Sequence, residues 1–141
     1  MNKFKYVSSN GIIVCQEQKC KLEFNCNKEV YLKTNSDDKS SSKPTCDFII
    51  CSEDKKTNVM FIELKGNDIK HACKQIISTY NDIDTPINNT YCAIVHSSTP
   101  KAITTLPKIK MDLKRKTKAK EIFIKNSLLK LKNIDNNISR S

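Results

Sequence analysis

The chain has no tryptophan, and aromatic residues fill only 6% of its 141 positions. With 38% hydrophobic residues, it can bury a modest core, and a single domain over 1–141 is the expectation. Long apolar runs are missing too. The longest, Gly11 to Cys15, Phe48 to Cys51 and Met60 to Ile62, are far shorter than a membrane-spanning helix requires. The opening MNKFKYVSSNGIIVCQEQ lacks the apolar centre and small-residue cleavage site of a signal peptide. A cytoplasmic protein is therefore expected. No internal repeat is visible.

Zinc-knuckle spacing is also absent. The seven cysteines (Cys15, Cys20, Cys26, Cys46, Cys51, Cys73 and Cys92) are odd in number, and no pair is separated by two residues. In a reducing compartment, free cysteine behaves as a small buried apolar residue. The competing reading is a structural metal site built from Cys15, Cys20 and Cys26.

Acidic residues are scarce in one part of the chain only. Residues 101–141 hold 12 Lys or Arg against three acids, whereas residues 1–100 hold 13 Lys against 12 acids. An AT-rich genome would explain the abundance of Lys, Asn and Ile, but not this asymmetry. A clustered basic segment is what a phosphate-contacting surface requires, since each neutralised phosphate releases condensed counterions.

Periodicity places the elements. Lys3 to Thr34 mixes short apolar runs with polar punctuation and fits helix or strand. Residues 35–43, NSDDKSSSK, form a polar loop. Cys46 to Ser52 and Asn58 to Lys65 read as two strands joined by the polar turn Glu53 to Thr57. Their near-continuous apolarity predicts strands covered on both faces, as in a sheet flanked by helices. Gly66 breaks the second strand, and Asn67 or Asp68 can cap a helix carrying Ile69, Ala72, Cys73, Ile76, Ile77 and Tyr80 at three- and four-residue steps. Asp82 to Thr90 is a loop and Tyr91 to His96 a third strand. Pro107 opens a helix to about Lys118; Glu121 to Lys125 is a strand, and Leu128 to Lys132 a short helix or tail. The order hairpin–helix–strand–helix–strand predicts a mixed α/β domain.

Asp47 and the triplet Glu63-Leu64-Lys65 carry the chemistry. Residues two apart on a strand share a face, so Glu63 and Lys65 go together while Leu64 points to the core. Asp47, near the start of the partner strand, can reach the same face. A magnesium-class ion takes oxygen ligands, one or two carboxylates plus waters and substrate phosphate. Asp47, Glu63 and the Leu64 carbonyl can supply them. Such an ion polarises a phosphodiester and acidifies its bound water, and Lys65 can orient that water or stabilise developing charge.

The segment KPTCDFII…FIELKG resembles the PD-(D/E)xK nuclease superfamily, which has the restriction-endonuclease-like fold. Two residues separate Pro44 from Asp47, while Glu63-Leu64-Lys65 matches the acid–any–Lys triplet. The resemblance covers Pro44 to Val95. It implies a mixed central β-sheet flanked by helices, with a core over about 44–126. It also implies Mg²⁺ (or Mn²⁺) on Asp47 and Glu63, Lys65 as the catalytic lysine and Gln75 as a site-organising or DNA-contacting residue. Some members add an acid from an N-terminal helix, for which Glu17, Glu23 and Glu29 are candidates. The expectation is thus a metal-dependent endonuclease acting on DNA, the form of the nucleic acid (RNA included) being open. The expected phosphate contacts are Lys70 and Lys74, with Lys110, Lys114, Arg115 and Lys118 from the basic segment. A homodimer is expected if both strands of a duplex are cut. Archaeal-type Holliday-junction resolvases have similar size and basic character. The alternatives from other classes are a noncatalytic nucleic-acid- or partner-binding module on the same fold, and a basic globular protein. His71 and His96 carry less weight as site residues.

Overall fold

The computed structural model describes residues 5–35, 45–64, 68–97 and 106–141. These run as β1 (Val7–Ser9), β2 (Ile12–Glu17), β3 (Cys20–Asn25), β4 (Tyr31–Asn35), β5 (Phe48–Ser52), β6 (Asn58–Glu63), α1 (Ile69–Asn81), β7 (Asn89–His96), α2 (Leu106–Thr117), β8 (Ala119–Asn126), β9 (Leu128–Ile134) and β10 (Asn137–Arg140). None of the described helices is long and apolar enough to cross a membrane.

The strands form a six-stranded sheet, ordered β1-β4-β5-β6-β7-β8, and a four-stranded sheet, ordered β10-β9-β3-β2. In the larger sheet β1 through β6 pair antiparallel, and β6/β7 and β7/β8 pair parallel. The parallel pairs require crossovers, which α1 and α2 supply. Because β6, β7 and β8 step across the sheet in one direction, crossovers of one hand place both helices on one face. There Val59, Phe61, Cys92 and Ile94 pack against Ala72 and Ile76 of α1 and Leu113 of α2.

The opposite face corrects the expected architecture. The central strands are covered on both sides, since every position of β6 is buried. However, helices cover only one side. Met60, Ile62, Tyr91 and Ala93 pack instead against Leu22, Phe24 and Leu131 of the four-stranded sheet. The mixed α/β class stands, in three layers of helices, sheet and sheet.

Two segments left open or misjudged by pattern explain that second sheet. Lys3 to Thr34 contributes β1 to β4, with Ile13, Cys15, Cys20, Leu22 and Phe24 turned inward at alternate positions. Leu128 to Lys132 is strand, not helix or tail. Leu129, Leu131 and Asn133 are buried while Leu128, Lys130 and Ile134 are exposed, a period of two that fits a half-covered sheet. Its hairpin to β10 turns through Asp135 and Asn136, both at positive φ (51° and 63°), as a two-residue turn of twisted strands requires. Asp68 caps α1, its carboxylate accepting the His71 N–H at 3.1 Å.

Candidate functional site

Hairpin register brings the two predicted carboxylates together. Phe48 pairs with Ile62 across β5 and β6, so Asp47, one step earlier, meets Glu63. The Asp47 N–H donates to Glu63 Oε1 at 3.0 Å, and the Leu64 N–H donates to Asp47 Oδ2 at 2.8 Å. Each carboxylate thereby holds the other's strand through a charge-assisted bond. Glu63 is fully buried and Asp47 half-buried, so Asp47 is the member that solvent reaches. Leu64 points into the core between the two sheets, as alternation predicts. Lys65 lies outside the described residues, as do Pro44 and Gly66.

Helix α1 fixes the chain just before Asp47. Gln75 and Thr79 are one turn apart on one face. Gln75 Nε2 donates to the Thr45 carbonyl at 3.3 Å, and Thr79 Oγ1 accepts the Cys46 N–H at 2.8 Å while donating to the Gln75 carbonyl at 2.9 Å. Gln75 is therefore placed where it organises the Asp47 segment. Its Oε1 is buried with no hydrogen-bond partner among the described residues. Burial pushes the Cys46 thiol up to about 12; Thr79 opposes the shift by hydrogen bonding, and the Glu63 and Asp47 charges add to it. Cys46 stays protonated at neutral pH and is no nucleophile.

The donor set suits a hard divalent cation. Asp47 and Glu63 are adjacent carboxylates, and the orphaned Gln75 Oε1 is a further acceptor near the same segment. Among the described residues no three or more His, Cys, Asp or Glu side chains form a metal-binding group. What this segment offers a cation is two carboxylates, Asp47 and Glu63, and not an all-protein cage. The same observation leaves Cys15, Cys20 and Cys26 without a metal cluster.

The three N-terminal acids separate clearly. Glu23 lies 3.8 Å from Lys21 and 3.9 Å from Lys130, and Glu29 accepts from Asn133 at 2.9 Å. Glu17 ends β2 beside Cys20, whose thiol is raised by burial and then, against a bond from Ser97, by the Asp47 and Glu17 charges. The charges of both Glu17 and Asp47 act on Cys20, and Glu17 comes from a strand rather than a helix. His71 is exposed on α1. His96 is buried at the end of β7, two residues beyond Ile94, the partner of Glu63; strand alternation puts it on Glu63's face.

The predicted phosphate contacts fall into two groups. Lys74 of α1 and Lys116 of α2 line one groove between the helices, together with Ser78, Asn81 and Asp82. Lys70, Lys114 and Lys118 are exposed nearby in sequence, and Arg115 pairs with Asp112 at 3.7 Å. Lys110 is elsewhere, in a cleft with Glu121, Ile138 and Arg140 between β8 and β10. Sequence reasoning missed Thr79. Its spacing of four from Gln75 was the one available signal, and its partner, Cys46, lies 33 residues away.

No family model, curated protein or solved structure matches the chain. Function therefore rests on the site.

Proposed function

We propose that this chain is a metal-dependent nuclease that hydrolyses phosphodiester bonds in DNA. The observation that carries this reading is the reciprocal bonding of Asp47 and Glu63 at the C-terminal end of β6. Asp47, Glu63 and the Leu64 carbonyl would hold Mg²⁺ or Mn²⁺. When bound, such an ion polarises the phosphate and makes its water a stronger acid. The chain's own residues do the rest. Asp47, half-exposed, faces the incoming substrate; Gln75 and Thr79 hold it in position; Lys65 is assigned the attacking water and the developing charge. Glu17 is the candidate third acid. The PD-(D/E)xK resemblance supports the roles of Asp47, Glu63 and Lys65, and the restriction-endonuclease-like fold belongs to the same proposal.

The test is cleavage of plasmid and of linear, nicked, branched and single-stranded oligonucleotides with Mg²⁺, Mn²⁺ or EDTA. Removing an essential carboxylate or the lysine should cost at least the 10²–10³-fold typical of lost transition-state stabilisation. Wild-type cleavage should therefore vanish in EDTA and drop about that much in Asp47→Asn, Glu63→Gln and Lys65→Ala. Wild-type activity no greater than that of Lys65→Ala on every substrate would sink the reading.

A second reading has one observation behind it. Both carboxylates spend an oxygen on a backbone N–H, which is also what a purely structural hairpin lock would do. A noncatalytic nucleic-acid-binding module would then show binding that survives EDTA and Asp47→Asn, with no cleavage at all.

A further inference from the structure

Because β6, β7 and β8 are parallel, their C-terminal ends lie side by side at one end of the six-stranded sheet. Glu63 ends β6 and pairs with Ile94; Ile94 pairs with Ile124, and His96 with Asn126. The chain then turns at Ser127, at φ 64°, whose N–H bonds the His96 carbonyl at 2.8 Å. This turn walls a groove lined by Lys125, Asn126, Ser127, Leu129, Lys130 and Arg140, among others. Three basic side chains line it, and no acidic side chain does.

The cations are held loosely enough to take a ligand. Lys125 and Lys130 are exposed. Arg140 Nη2 bonds only weakly, at 3.4 Å, to the Ile124 carbonyl, which keeps the guanidinium over the groove. Lys130 is 3.9 Å from Glu23, which Lys21 also approaches at 3.8 Å. An exposed pair at that distance contributes little, so exchange for a phosphate is cheap.

We propose that this groove is a phosphate-binding subsite for the nucleic-acid strand whose scissile bond lies at Asp47 and Glu63. The contacts are Lys125, Lys130 and Arg140. Adjacent strands are roughly 4.8 Å apart, so β8 lies roughly 10 Å from β6 across the sheet. That is about three base-pair rises along the axis of B-form DNA. A concave basic groove at the same end of the sheet as the paired carboxylates fits a chain of phosphates; a membrane surface is met by an amphipathic helix or a broad basic face instead. The direction of the strand rests on the nuclease reading above, while the binding itself does not.

The experiment is fluorescence anisotropy of the full chain with labelled duplex and single-stranded oligonucleotides, in EDTA so that cleavage cannot intervene. Lys125→Ala/Lys130→Ala should bind about tenfold more weakly at about 0.1 M salt, and the slope of log K against log[salt] on duplex should fall by about two. Lys19→Ala/Lys28→Ala makes the same charge change at exposed positions outside the groove and should stay close to wild type. Circular dichroism checks that both variants fold. The proposal is overturned if affinity and slope of the groove variant equal those of wild type, or if the control loses as much. Tighter binding to phosphatidylserine vesicles than to either oligonucleotide would overturn it too. A protein that binds through the groove yet shows no metal-dependent cleavage ends the nuclease reading and leaves the subsite standing.

Discussion

Each of the seven cysteines is buried and unbridged, and burial is the first cause of every thiol's upward shift. The thiols of Cys15, Cys46, Cys51 and Cys92 reach about 12 and those of Cys26 and Cys73 about 11; Cys20 moves in the same direction. They are small core residues, as their apolar neighbourhoods in sequence suggested. The sign of the pH effect follows. Folded values lie above unfolded ones, so the stability these groups contribute is complete below about pH 8.5 and lost as pH rises toward 11–12. Urea midpoints should be flat from about pH 7 to 8.5 and decline above it. At pH 8 a thiol reagent should label the native chain slowly and the denatured chain quickly. Prompt labelling of all seven in the native state would contradict the burial described here.

At the scale of the element, α1 is the part that holds the chain before Asp47, through Gln75 and Thr79. Its existence and apolar face were legible, because Ile69, Ala72, Cys73 and Ile76 repeat at helical spacing. Gln75 was legible only through the family resemblance. Thr79 was not, since its hydrogen bond reaches Cys46 through tertiary approach and leaves no trace in local pattern. Thr79→Val strips the Cys46 N–H of its acceptor in a buried setting, a loss of about 1–3 kcal/mol. Chemical denaturation should show that loss. Under the proposed nuclease function, cleavage by Thr79→Val should fall through kcat more than KM, because Asp47 is displaced rather than deleted, and Thr79→Ser should restore it. Unchanged kcat in a folded Thr79→Val protein would show that α1 does not position Asp47. The Leu128–Lys132 segment teaches the converse. Its alternation was in the sequence, but five residues rich in Leu and Lys also suit a helix, and only pairing with β3 decides between them.

Over the whole molecule, the two sheets share one core and are joined by polar contacts as well. Asn58 Nδ2 donates to the Asn136 carbonyl at 2.9 Å, and the Ile138 N–H reaches Tyr91 Oη at 3.4 Å. Leu131, 1% exposed, packs in the core between the sheets. Leu131→Ala should cost about 2–5 kcal/mol. Because the core is common, far-ultraviolet dichroism and tyrosine fluorescence should report one coincident transition in both wild type and variant. Separate midpoints for the two probes would mean that the four-stranded sheet melts by itself.

The sequence alone determined the β5–β6 hairpin, helix α1, the inward direction of Leu64 and the pairing of an acid on each hairpin strand. These follow from periods of two and 3.6 and from a short polar turn, all local. Tertiary structure decided what covers the second face of the main sheet, which partners hold Glu23 and Glu29, and which lysines share a groove. Those outcomes depend on pairings such as β3 with β9, more than a hundred residues apart. No local period encodes them, because burial of a face can be satisfied equally by a helix or by another sheet.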